Sequence, residues 1–536
     1  MPAHRISRLL SRGDCCLLRS FAAALLLAGT GAGLSAQAQT AAECAEIADF
    51  TMPDGNVEIT ASSHVPAAAA APQPGRPGYT GIVPAHCRVE GVIDRRIGQD
   101  GVPYAIRFAL ALPDEWSGRF LFQGGGGLNG NVQAPIGAQA AGDTPALARG
   151  FAVVSTDSGH QGAVFDGAFF ADQEATLNFL YAANGKVTVV AKQIVAAYYE
   201  RPAEHSYFVG CSTGGREAMI MSQRHPRYFD GLVAGAPAMR TGYSNLGMRW
   251  VSVALNRVAD KDQAGNVVPG SALSADDKQL VIDRLVQTCD AKDGVEDGMI
   301  FHTRDCGFDP TDLVCGSTQT DQCLSSDQAD AVRIALSGPK NSNGDQVYPG
   351  HLYDTGIAAS GPGMIPGVLN GAASPVGPAT PLTVQDVDAE AIVAAMEPSA
   401  LGNTHTWTNL STFSGNGGKL LFYHGISDPW FSALDTVEYY DNLAAANGGS
   451  AQAREWSRLF LVPGMGHCGG GAATLDRFDL LGAAVNWVER DQAPDSILAT
   501  GAAFPGRSRP LCPHPQHAHY TGRGNPEDAA NFTCRE

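Results

Sequence analysis

Gly210-Cys211-Ser212-Thr213-Gly214 sets a serine between two glycines, directly after the apolar run His205-Ser206-Tyr207-Phe208-Val209. This spacing suits a sharp strand-to-helix turn. The glycines let the backbone double back, and the serine hydroxyl is held out as a nucleophile. A serine at its ordinary pKa needs a base, and the base needs a group that fixes its tautomer. Among 14 histidines, His467 is the best base. It lies in Gly464-Met465-Gly466-His467-Cys468, just beyond the apolar run Leu459-Phe460-Leu461-Val462. Asp428, in His424-Gly425-Ile426-Ser427-Asp428-Pro429 after Leu420 to Tyr423, is the expected acid. Its bland alternative is a turn aspartate before proline. Asp435 is a weaker candidate acid, and His424 and His160 are read as supporting residues. The order Ser, Asp, His is that of a hydrolytic triad on an α/β sheet.

An acyl-transfer site also needs N–H donors for the oxyanion of the tetrahedral intermediate. The backbone of Thr213 supplies one. The run Gly124 to Gly127, after the strand-like Arg119 to Gln123, supplies the other, with Gly127 the expected donor. No Lys-Ser or Lys-Thr follows these glycines, which argues against a phosphate-binding loop. Cysteines stand immediately before Ser212 and immediately after His467, so one disulfide could tie nucleophile to base.

These groups must sit at the ends of parallel strands. Strand-like runs at 119–123, 150–156, 205–209, 231–236, 419–424 and 459–462 alternate with helical patterns at 177–199, from 216 and at 433–446. That alternation predicts an α/β fold of the α/β-hydrolase class, with a mostly parallel sheet. From about residue 239 the strands give out and a cysteine-bearing, Gly/Pro/Ser-rich stretch follows. The expected organisation is a signal peptide at 1–38, a core at 39–238, a lid insertion at 239–415 and the rest of the core at 416–536. Residues 1–38 carry Arg5, Arg8, Arg12 and Arg19, the apolar run Phe21 to Leu27 and Ala36-Gln37-Ala38, a secretory pattern that implies a secreted or periplasmic protein.

The chain has 536 residues and a formal net charge of −18, or −21 without residues 1–38. An acidic chain with no basic patch is a poor partner for nucleic acid or anionic membranes. Nothing in it sets an oligomeric state. Ten cysteines lie beyond residue 38, and none forms a C-x-x-C, so disulfides are expected in an exported protein. Their number does not fix the pairing. Nearness in sequence suggests Cys44–Cys87, Cys289–Cys306, Cys315–Cys323 and Cys512–Cys534, which leaves Cys211 and Cys468 for each other.

Asp290, Asp293 and Asp297 recur at short intervals in a glycine-punctuated loop. Hard oxygen ligands at this spacing suit a structural Ca²⁺, although the loop is not an EF-hand. A solvated acidic turn is the alternative.

Taken together, Gly-Cys-Ser-Thr-Gly-Gly, His-Gly-Ile-Ser-Asp-Pro, Gly-Met-Gly-His-Cys, Asp-Gly-Val-Glu-Asp-Gly and the ending Arg509-Pro510-Leu511-Cys512 to Asn531-Phe532-Thr533-Cys534 resemble the tannase and feruloyl esterase family. The resemblance covers almost the whole chain beyond residue 38. It implies a triad of Ser212, Asp428 and His467, and Ca²⁺ on Asp290, Asp293 and Asp297 with the carbonyls of Val295 and Met299. It also implies the five disulfides in the pairing above. The family acts on gallate and hydroxycinnamate esters, and one branch acts on mono(2-hydroxyethyl) terephthalate. That branch shares Asp428-Pro429-Trp430-Phe431-Ser432, where Phe431 would pack on the aromatic acyl ring and Trp430 would help line the slot. It also uses a lid arginine for the substrate's carboxylate, and this chain has no arginine between Arg333 and Arg454. The expectation is therefore an exported serine esterase for small aromatic esters of the hydroxycinnamate or gallate type. A terephthalate-monoester hydrolase and a non-catalytic binding protein of the same fold are the alternatives.

Overall fold

The computed structural model describes residues 41–70, 79–99, 101–317, 322–359, 366–371 and 381–536. The expected signal peptide lies outside the described residues. A nine-stranded sheet carries the molecule. Its strands are β1 (Val57–Val65), β2 (His86–Ile97), β3 (Pro103–Pro113), β4 (Arg119–Gln123), β5 (Ala152–Thr156), β6 (His205–Cys211), β7 (Gly231–Gly235), β8 (Lys419–Gly425) and β9 (Ser457–Val462). They lie side by side in the order β1-β2-β3-β5-β4-β6-β7-β8-β9. The first three pair antiparallel, and β3 meets β5 antiparallel. From β5 to β9 every pairing is parallel.

The parallel strands read as unbroken apolar runs because both faces are covered. Successive side chains go to opposite cores, as the two-residue period requires. Phe120, Phe122, Phe208, Leu420 and Phe422 pack with Val187 and Ile194 of α1 (Ala183–Tyr198), Met219 of α2 (Thr213–Arg224) and other buried residues. Their neighbours Leu121, Tyr207, Val209, Leu421 and Tyr423 face the opposite cluster, which includes Leu481 and Trp487.

Between β7 and β8 the described residues add no strand to this sheet. Helices α3 (Thr241–Asn256), α4 (Ala275–Cys289), α5 (Ser326–Ser337) and α6 (Val387–Met396) occur there. Helices α4 and α5 each begin with a reciprocal capping box, Ser274 with Asp277 and Ser325 with Gln328. Val251, Val281, Leu285, Val332 and Leu369 belong to a separate apolar cluster in this segment. After β8, helix α7 (Ala433–Ala446) leads to β9, and α8 (Leu480–Arg490) covers the second face. No helix among the described residues is long and apolar enough to cross a membrane.

Candidate active site

Ser212 follows β6 directly and caps α2 with φ 64° and ψ −123°, a conformation L-residues rarely adopt. Strain of this kind costs about 1–3 kcal/mol and persists only where the surroundings enforce it. Here they do. A Cβ at Gly210 would lie 2.5 Å from the Gly214 carbonyl carbon, and one at Gly214 would lie 2.7 Å from the Gly125 carbonyl oxygen. Only glycine fits either position. Ser212 N–H donates to the Gly235 carbonyl at 3.0 Å, and the residue stays partly exposed.

Asp428 and His467 meet at the ends of β8 and β9. His467 Nδ1 lies 2.7 Å from Asp428 Oδ2. The other carboxylate oxygen accepts the backbone N–H groups of Trp430 at 2.9 Å and Phe431 at 3.1 Å. Burial alone would raise the pKa of Asp428, but His467 and His424 outweigh it and hold the carboxyl well below the usual range. His424 is buried 3.3 Å from Asp428 Oδ2 and is held by Thr436 and the Phe431 carbonyl, as a supporting residue. Asp435 is committed elsewhere. It pairs with Arg240, whose Nε donates at 2.9 Å, which removes it as an alternative acid. The other nitrogen of His467, Nε2, is buried and has no hydrogen-bond partner among the described residues. His160 stacks on Phe169, with ring centroids 3.7 Å apart.

The Cys211–Cys468 disulfide joins the residue before Ser212 to the residue after His467, with Cα atoms 5.9 Å apart. The other four bridges are Cys44–Cys87, Cys289–Cys306, Cys315–Cys323 and Cys512–Cys534.

The glycine turn after β4 lies against the first turn of α2. Gly124 N–H donates to the Val209 carbonyl and Gly125 N–H to Glu217, each at 2.9 Å. The Gly125 carbonyl accepts from Gly214 N–H at 3.1 Å, and the Gly127 carbonyl accepts from the Thr213 hydroxyl. Among the described residues, these bonds leave the amides of Gly126 and Gly127 as the turn's free donors, beside that of Thr213 at the helix start. Gly127, the donor expected from the sequence, is one of these two.

Trp430 and Phe431 flank the base, their ring centroids 5.0 and 5.1 Å from that of His467. The sequence reading missed Val164 and Phe165. A Cβ at Gly127 would come within 2.7 Å of Val164, and Phe165 meets Trp430 edge-to-face at 6.1 Å. Both are partly open to solvent, at 46% and 38%. An apolar pair inside the turn-rich stretch Gly162 to Gly167 was the available signal.

In the acidic loop, Asp290 and Asp293 are buried in a 3₁₀ turn after α4. Asp290 Oδ2 accepts Gly298 N–H at 2.8 Å, and Asp293 Oδ2 accepts Phe301 N–H at 3.1 Å. Val295 N–H donates to Asp293 and Met299 N–H to Asp297. Asp297 also pairs with the buried Arg509 and lies 3.8 Å from Arg507, partners the sequence did not suggest. Among the described residues no three metal-binding side chains converge as a closed set. One buried carboxylate oxygen, Asp290 Oδ1, nonetheless lacks a partner, which is costly unless a cation or a donor reaches it. An all-oxygen donor set with such an orphan fits a hard cation.

A parallel sheet with a strained serine at a strand–helix turn and a carboxylate-oriented histidine at a later strand end defines the α/β-hydrolase class. The tannase and feruloyl esterase family matches residues 87–372 and 378–535, and the chain belongs to that family. It is 38% identical over 517 residues to the mono(2-hydroxyethyl) terephthalate hydrolase of Piscinibacter sakaiensis, covering 84% of this chain and 85% of the relative. It is 31% identical to feruloyl esterase B of Aspergillus niger, covering 79% and 82%. The crystal structure of feruloyl esterase B from Aspergillus oryzae superposes with a TM-score of 0.75 at 27% identity, covering 92% of this chain and all of that one. The protein is a carboxylic ester hydrolase.

Proposed function

We propose that this chain is an exported serine esterase for aromatic carboxylic esters, with Ser212 as nucleophile, His467 as base and Asp428 as its orienting acid. The observation that carries the reading is the 2.7 Å Asp428–His467 pair, coupled through Cys211–Cys468 to a strained serine. Asp428 accepts a hydrogen bond from Nδ1–H of His467, which leaves Nε2 as the basic nitrogen. His467 takes the proton of Ser212 Oγ as the hydroxyl attacks the ester carbonyl, then returns it to the leaving alcohol. Water, activated in the same way, releases the acid from the acyl-enzyme. The amides of Thr213 and of Gly127 or Gly126 receive the oxyanion, and removing such a donor typically costs about 3–4 kcal/mol of transition-state stabilisation.

Trp430, Phe431, Val164 and Phe165 offer an aromatic acyl group flat apolar walls. Hydroxycinnamate and gallate esters suit this lining. A terephthalate monoester is the second reading. It is favoured by the 38% identity to a hydrolase of that ester, and opposed by the missing arginine between Arg333 and Arg454 that a buried carboxylate would need. The five disulfides suit an oxidising compartment, secreted or periplasmic. A structural Ca²⁺ would be held by Asp290, Asp293 and Asp297 with the carbonyls of Val295 and Met299, and would neutralise their clustered charge.

The test is hydrolysis of methyl ferulate, methyl gallate and mono(2-hydroxyethyl) terephthalate by wild type and Ser212→Ala, with fluorophosphonate labelling of both. Wild type should turn over at least one ester and be labelled, and the variant should do neither. Equal turnover by the variant sinks the assignment.

A further inference from the structure

The turn that carries the candidate oxyanion donors is fastened to the nucleophile's own helix, and the central fastening is a buried carboxylate. Glu217 stands five residues after Ser212 on α2 and is 1% exposed. Its Oε2 accepts Gly125 N–H at 2.9 Å. Its Oε1 accepts the Asn129 side-chain amide at 2.8 Å and the Ser158 hydroxyl at 3.2 Å. Asn129 also donates to Ser158, and both are buried with φ of 53° and 64°. Gly125 is thus gripped at both ends, its N–H by Glu217 and its carbonyl by Gly214 N–H. The next two amides, of Gly126 and Gly127, are those left to bind an oxyanion.

From this arrangement we infer that Glu217 is a positioning residue for catalysis, setting the glycine turn against Ser212 so that the oxyanion donors are aimed before substrate arrives. The inference rests on the serine-esterase reading above. Three donors converge on two carboxylate oxygens, and each donor belongs to a loop that reaches the site. Gly125 and Asn129 flank the free amides, while Ser158 belongs to the loop after β5, which Gly130 N–H also ties by donating to the Asp157 carbonyl. Preorganised donors act because they need not move as charge develops. Loosening them should weaken the transition state while sparing ground-state binding. Glutamine has one acceptor oxygen where glutamate has two, so it keeps the volume but turns an amide N–H₂ toward at least one donor. Alanine takes the Glu217 acceptor from all three donors and leaves Asn129 only its bond to Ser158.

The experiment compares wild type, Glu217→Gln, Glu217→Ala and Ser158→Ala with p-nitrophenyl acetate, well below each variant's melting temperature. Inhibition by phenylboronic acid, whose tetrahedral adduct on serine reports the oxyanion donors, is set beside inhibition by benzoate, which reports ground-state binding. Glu217→Ala should lose about 10- to 100-fold in kcat with KM within about twofold. Phenylboronic acid affinity should fall in proportion and benzoate affinity should hold. Glu217→Gln should recover part of the loss, and Ser158→Ala should lose less than either. If Glu217→Ala does not fold, the same graded pattern in the other two variants carries the test. Folded Glu217 variants with wild-type kcat, or losses shared equally by benzoate and KM, overturn the inference alone. A wild type that neither hydrolyses the ester nor takes a fluorophosphonate label overturns the esterase reading and this inference together.

Discussion

His160 and Asp157 show how burial sets opposite pH signs three residues apart. Burial lowers the pKa of His160 to about 4, against weaker opposition from the Leu128 carbonyl and Asp166. An unfolded histidine takes its proton near pH 6.5. Between those values the unfolded chain binds more protons than the fold, so His160 contributes stability above pH 6.5 that is lost as pH falls toward 4. Asp157 is raised to about 6 by burial, so it takes up its proton in the fold first and works in the other direction. His160→Leu should therefore flatten the acid side of the stability curve. The two proteins' unfolding free energies should converge or cross by roughly 2–3 kcal/mol between pH 7.5 and 4.5. Denaturant titrations at both pH values measure this, and parallel pH dependences would refute it. At this scale the sequence was legible where chemistry restricts residue type and order. Ser212, Asp428 and His467 stand at strand ends in hydrolase order, and the structure joins the last two directly. Glu217 was not legible, because a glutamate inside a helix reads as a solvated side chain until the loops that bury it are known.

Strands and helices were read closely, since each parallel strand is an apolar run followed by a glycine or polar turn. The helix expected at 177–199 is the exception. It runs as an α-turn at Gln173–Leu177, a wider π-turn at Asn178–Ala182 and then α1. The Phe179 carbonyl in that π-turn accepts from Arg216 at 3.1 Å, and the guanidinium lies over the Phe179 ring. A tertiary partner from α2 thus competes with the regular ladder, and no local propensity encodes it. Between the elements, the Cys211–Cys468 bridge closes 257 residues. The chain-entropy treatment gives such a loop about 5 kcal/mol as an upper figure. Geometry is its larger contribution, because a misplacement of about 1 Å between serine and histidine can cost on the order of 100-fold in rate. Cys211→Ala/Cys468→Ala should fold and bind substrate with turnover reduced by roughly that factor. Steady-state kinetics beside circular dichroism check this, and unchanged kcat would show that the strands alone hold the site.

For the whole molecule, the halt of the strands after β7 and their return at β8 were legible in the apolar runs, while the packing between β7 and β8 was not. Its residues are Gly- and Pro-rich, and their apolar positions follow no single period. The acidic loop after α4 joins the segment between β7 and β8 to the last residues of the chain through Asp297 and Arg509. If Ca²⁺ binds there, mass action stabilises the folded state as the ion exceeds its dissociation constant. Scanning calorimetry with Ca²⁺ and with a chelator should show a clearly lower melting temperature without the ion. Hydrolysis of a small ester below that temperature should persist, because the loop's aspartates bond to Gly298, Phe301, Met299 and Arg509 rather than to Ser212, Asp428 or His467. Superimposable melting curves would mark the loop as an acidic turn only.

The bridge between Cys211 and Cys468 also gives the chain a topology that its linear order conceals. Everything from Ser212 to His467, the segment between β7 and β8 included, is a covalent ring pinned at one point. A protease that cuts the ring once severs the polypeptide without separating its parts. Cys44–Cys87 and Cys512–Cys534 close smaller loops on either side of it, and Cys289–Cys306 and Cys315–Cys323 close loops inside it. In a compartment where stray proteases are common, a break between β7 and β8 would thus do little to disperse the site.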